Sequence, residues 1–137
     1  TRWGATTTST SYSDTGLTVS INPLSASNTL YISVYANYKA EKTGGGNVTP
    51  RYGNFKLRRT SGSAADLSIV KGGALLGSTS SVNIIHTGAL NLGFSESAGS
   101  TSSHTYILQF ASSNTSVTAS VLGATYKAII IVEEYTP

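Results

Sequence analysis

The chain has 137 residues, which fits one domain with a substantial core and falls short of two. Charged residues make up only 11%, against a usual share of about 25%, and nearly a third of the chain is Ser or Thr. The net charge of +3 is spread too thinly for a nucleic-acid binder, the absence of Cys excludes disulfides and thiolate metal sites, and no apolar run approaches the roughly 18 residues of a membrane span.

Residues 1–12, "TRWGATTTSTSY", are poor in core formers and read as an N-terminal arm or edge strand, ahead of a single domain over 13–137. Trp3, the only tryptophan, is expected either to cap the end of the fold or to pack on a neighbouring subunit. The "DTG" at 14–16 reads as a turn. Leu17, Val19 and Ile21 then alternate with Thr18 and Ser20, the period of a half-buried strand.

After the break "NPLSASN" (22–28), Leu30, Ile32, Val34 and Ala36 alternate with Tyr31, Ser33, Tyr35 and Asn37. Tyr31 and Tyr35 thus share the face opposite the aliphatic residues. That face suits a protein interface or sugar stacking, or else the second packed side of a central strand. The Gly-rich break 42–50 lacks the Gly-Lys-Ser/Thr ending and following helix of a phosphate loop, so it reads as a hairpin loop. "KLRR" (56–59) reads as a solvated strand face, and "GGALLG" (72–77) as a strand end or bulge.

Later strands carry Leu90, Leu92 and Phe94, then Tyr106, Leu108 and Phe110, then Val117, Ala119 and Val121, each set in one phase. The closing "ATYKAIIIVEEYTP" divides the same way, with Ala128, Ile130 and Val132 on one face and Ile129 and Ile131 on the other, bracketed by Lys127 and Glu133. Two isoleucines on a second face predict a central strand buried on both sides, its second side under another layer or a neighbouring subunit. About eight to ten short strands, with no helical period, predict an all-β antiparallel sandwich of jelly-roll type.

Chemistry is sparse. The two histidines, His86 and His104, sit at strand ends, and no G-x-S-x-G elbow accompanies them. Asp14 and Asp66 read as isolated turn residues, and Glu133 and Glu134 point to opposite faces of one strand. We therefore expect no catalytic set, no metal site and no cofactor.

Three stretches resemble a β-sandwich domain of tailed-bacteriophage tail-fibre and virion appendage proteins, of the marine and cyanophage type. They are "TSTSYSDTGLTVSINPLSASNTLYISV", "LGFSESAGSTSSHTYILQFASSNTSVTASV" and "ATYKAIIIVEEY", which together span most of residues 8–135. The chain departs from the family pattern at Ser95-Glu96-Ser97-Ala98 and at Asn28-Thr29, so ligand contacts at those turns do not carry over. The resemblance implies a non-enzymatic virion structural protein that forms a homotrimer and carries no catalytic residues.

On that footing Trp3, Tyr31, Tyr35, Ile129 and Ile131 are the expected subunit interface. Asn47, Arg51, Tyr52, Glu96 and His104 are the expected contacts, on loops, with a host-surface glycan or another capsid or tail protein. Thr1 fits either an initiator Met removed ahead of a small residue or a boundary within a longer protein. The first favours a capsid decoration protein and the second a fibre head. A free carbohydrate-binding module is the expectation from a different class.

Overall fold

The computed structural model describes residues 4–42, 51–74, 84–121 and 127–137, and in them the period-two pattern becomes nine strands and no helix. The strands are β1 (Ala5–Thr7), β2 (Ser13–Ile21), β3 (Thr29–Lys42), β4 (Arg51–Arg59), β5 (Ala65–Ala74), β6 (Ile84–Ser97), β7 (His104–Ser112), β8 (Val117–Val121) and β9 (Ile129–Tyr135). Antiparallel pairs form between β1 and β8, β2 and β7, β3 and β6, and β4 and β5. Alternate pairs go to alternate sheets, giving the orders β1-β8-β3-β6 and β2-β7-β4-β5. A four-pair hairpin wrapped on itself produces this arrangement, so the expected antiparallel sandwich is a jelly roll.

β3 organises the first sheet. β6 pairs with it from Thr29 to Lys42 on one edge. Its other edge is shared in line: β8 takes Tyr38–Lys42 and β9 takes Thr29–Tyr35. Even-numbered β3 residues point inward, where Leu30, Ile32 and Val34 are fully buried in one core with Leu90 and Leu92 of the neighbouring β6 and Phe55, Leu57, Tyr106 and Leu108 of the facing sheet. Each such side chain contributes about 1.5–3 kcal/mol through apolar burial, which the alternation repeats along the strand.

Tyr38 continues that inward series and reaches across the sandwich. Its ring packs against Phe55 at 5.4 Å, lies stacked on His86, and its hydroxyl meets His86 Nδ1 at 3.0 Å. A Cβ at Gly72 would fall 2.6 Å from this ring and one at Gly88 2.8 Å, so both strands approach it only because they carry no side chain there. These glycines sit in strands for a packing reason rather than as breaks.

Several local readings change in three dimensions. "DTG" is not a turn but an irregularity within β2, where the register shifts between Asp14 and Thr18 and Gly16 takes φ +84°. Thr15 and Thr18 hydroxyls there donate to the carbonyls of Leu108 and Tyr106, supplying ties that the broken ladder lacks. Asp66 likewise lies in β5, bonded to Lys56 and Arg58 across the ladder, so "KLRR" is more than a solvated face. Arg59 turns inward to Glu96. The last strand is not central. Among the described residues β9 pairs with β3 alone and has no strand on its other edge, so it is an edge strand that shares one side of β3 with β8.

One end of the sandwich is knitted by polar ties. Ala98 and Gly99 N–H groups donate to the carbonyls of Asn28 and Ala26, joining the 22–28 and 97–99 turns. Glu134 Oε1 at the end of β9 accepts from Asn28 Nδ2 at 2.6 Å and from the Leu24 and Ser25 amides. Placing a methyl against the clamped Tyr38 ring should be costly. Gly72→Ala is expected to lower stability by about 1–3 kcal/mol in urea unfolding, and an unchanged midpoint would contradict this packing.

Candidate assembly surface

The odd-numbered residues of β3 face away from the core, and the register decides what joins them. Tyr35 stands opposite Ile129, Ser33 opposite Ile131, Tyr31 opposite Glu133 and Thr29 opposite Tyr135. On the other edge, Ser33 stands opposite Gly93 and Tyr35 opposite Asn91. Cross-strand neighbours on one face lie about 4.5–5.5 Å apart, so these side chains form one patch.

Tyr31, Tyr35, Ile129, Ile131 and Tyr135 are all exposed, from 39% at Ile131 to 52% at Tyr135. Ser33 in their midst is only 6% exposed although it points outward, which shows how closely its larger neighbours surround it. The Tyr31 hydroxyl reaches over β6, where a Cβ at Gly93 would come within 3.2 Å of it. Glu133 is the acidic member of the patch. Its charge, then burial, then a hydrogen bond raise the Tyr135 phenol above its ordinary pKa.

The outer face of the other sheet is arranged differently. Lys56 and Arg58 both pair with Asp66, Lys56 Nζ lies 3.9 Å from the centre of the Tyr12 ring, and Gln109 donates to Asp14. Burial opposes ionisation of Asp66, but hydrogen bonds from Arg58 and Lys56 and their charges hold its carboxyl below the ordinary value. Its large exposed apolar residue is Ile69. Polar groups on this face bond to one another, whereas the first sheet offers clustered apolar surface that nothing among the described residues covers.

The expected interface residues Tyr31, Tyr35, Ile129 and Ile131 therefore come together on one face. Trp3 lies outside the described residues. Tyr135 was missed by sequence reasoning, although it continues the odd-numbered phase of Ile129, Ile131 and Glu133 and could have been found by extending that count.

The expected loop contacts do not gather. Tyr52 lies in β4 beside Ser113, with Lys71 Nζ 4.9 Å from its ring centre, while Arg59 at the other end of the strand pairs across to Tyr106. Seven residues of extended chain separate these ends by about 23 Å. Glu96 and His104 belong to the Tyr106 end and turn inward. Glu96 holds Arg59 and accepts from the Tyr106 hydroxyl, and His104 is 9% exposed. Burial, then the bond to Glu96 and its charge, push the Tyr106 phenol well up, with Arg59 offsetting part. Asn47 falls outside the described residues, and Arg51 opens β4.

A cleft of about 380 Å³ lies where β1, β2 and the start of β9 meet, and among the described residues Lys127 is its one ionisable lining residue. Among the described residues no three His, Asp or Glu side chains gather as metal ligands. No known family profile matches the chain, and no curated protein or solved structure matches it either.

Glu134 gives the surface a pH dependence, because it anchors the end of β9. The hydrogen bond from Asn28, opposed by burial and helped by the Leu24 and Ser25 amides, lowers its pKa. A carboxyl with a lower pKa folded than unfolded contributes stability above the unfolded value and loses it as pH falls through the folded one. Urea midpoints should therefore fall on acidification through the carboxylate range, and Glu134→Gln should flatten part of that fall, leaving the share due to Asp66. An identical pH profile for the variant would contradict the clamp.

Proposed function

We propose that the protein is a non-enzymatic structural protein of a tailed-phage particle, a homotrimeric β-sandwich head that assembles through the outer face of the β3 sheet. The observation that carries this reading is the clustering of Tyr31, Tyr35, Ile129, Ile131 and Tyr135 on one exposed face, opposite a face on which Lys56, Arg58 and Asp66 pair with one another. Large aromatic and branched aliphatic side chains of this kind are what buried interface centres are built from. The virion setting and three-fold symmetry rest on the resemblance of the sequence to phage appendage domains, and the jelly roll is compatible with both. A capsid decoration protein would use the same face and differ in what it docks on.

A carbohydrate-binding module is the second reading, favoured by Tyr31 and Tyr35, which stand four residues apart on one strand face, about 13 Å along it. That reading requires a monomer whose tyrosine face stays open to a glycan.

Mass in solution separates the two. Light scattering should give at least three times the 14.2 kDa chain mass, and a monomer at every concentration would overturn assembly. Ile129 and Ile131 are 44% and 39% exposed in the single chain, so covering what remains of both is worth roughly 1–2.5 kcal/mol. Because it also puts a carboxylate into the covered face, Ile131→Asp is expected to lose the three-fold association with an unchanged circular dichroism spectrum, and a variant that keeps the wild-type mass would refute this use of the face.

A further inference from the structure

We propose that β9 also pairs antiparallel with β9 of a second copy, along the backbone edge turned away from β3, in the register that sets Ile130 opposite the partner's Ile130. This contact goes beyond the face-mediated assembly and does not depend on it. Side chains project perpendicular to a sheet, whereas strand pairing extends within its plane, so the edge and the face of β9 can be engaged together.

The described residues leave this edge open for such pairing. Among the described residues β9 ladders only to β3, and β1 covers the equivalent edge of β8 only from Ala119 to Val121. Natural edge strands are usually blunted by Pro, Lys, a bulge or brevity. β9 runs seven residues with no Pro, Gly or Lys and with an unbroken register against β3. Every other backbone N–H and C=O along it therefore points away from the ladder to β3.

Charge selects the register. Antiparallel pairing centred on Ile130 sets Lys127 opposite the partner's Glu133, Ala128 opposite the partner's Val132, and Ile129 opposite the partner's Ile131, and the two-fold axis repeats each pair. Opposite charges then close both ends of an apolar centre. Centring on Val132 instead sets Ile131 against the partner's Glu133, and centring on Ile131 sets Ile129 against it, so both leave the carboxylate facing an isoleucine. Lys127 and Glu133 are both exposed and, six residues apart on one extended chain, stand about 20 Å from each other. They cannot pair within one molecule. The cleft between Gly4, Ala5, Leu17, Val121 and Ala128 adjoins the start of β9, where the partner's chain beyond its Glu133 would run.

Charge reversal tests the contact without touching the core. Sedimentation of the full chain is compared for wild type, Lys127→Glu, Glu133→Lys, the double variant Lys127→Glu/Glu133→Lys, and Tyr35→Asp. Each single reversal should weaken two-fold association about tenfold, since symmetry makes two like-charge pairs, and the double variant should restore it. A single reversal that associates like wild type, a double variant as weak as the singles, or wild type without two-fold association would each overturn the pairing. Tyr35→Asp lies on β3, outside the paired edge, and should lose the face contact while keeping the two-fold one. If instead it associates like wild type while the reversals behave as expected, the face reading fails and the β9 pairing stands.

Discussion

The structure depends on one strand that has neighbours along its entire length. β3 runs fourteen residues, and β6 pairs with all of them on one side while β8 and β9 divide the other. A strand so placed has its backbone laddered on both edges except at Ala36 and Asn37, between β9 and β8, and its side chains must alternate between two environments. The even positions fill the core. The odd positions become the floor of an outward surface whose walls come from whatever β6 and β9 place beside them. With a charge fraction of 11% and no disulfide, the chain has few other means of holding its sheets together.

The consequences reach both sides of the sheet. Inward, Tyr38 is long enough to touch the opposite sheet, and the glycines at 72 and 88 are the accommodation that this reach requires. Outward, Tyr31 and Tyr35 meet the isoleucines of β9 only because β9 takes the Thr29–Tyr35 half of the shared edge. Glu134 fixes the end of that short strand to the 22–28 turn, so the apolar surface is held by a carboxylate facing the opposite way. Surface and core are two readings of the same alternation.

Much of this was legible in the chain because period two is a local property. The inward sets of β3, β6 and β7 could be counted directly, and so could the outward tyrosines and isoleucines. Register is not local, and the misreadings fall where register matters. Asp14 and Asp66 resembled turn residues because acids near Gly and Ser signal turns, yet cross-strand partners (Gln109 for one, Lys56 and Arg58 for the other) hold them in strands. Glu96 resembled a loop contact until the fold brought Arg59 and Tyr106 to it. The closing strand looked central because hydrophobicity on both faces indicates burial. That pattern does not tell burial within one chain from an apolar face left exposed by it, and here Ile129 remains 44% exposed.

The central claim is that the outward face of β3 and β9 is covered when the protein assembles. Hydroxyl-radical footprinting across a concentration series tests it directly, with Tyr31, Tyr35 and Tyr135 as reporters on the face and Tyr12 as a reporter on the opposite sheet. The account predicts that the three face tyrosines become protected as concentration rises while Tyr12 keeps its reactivity. Equal reactivity of the face tyrosines at all concentrations, in a sample whose mass shows assembly, would contradict it.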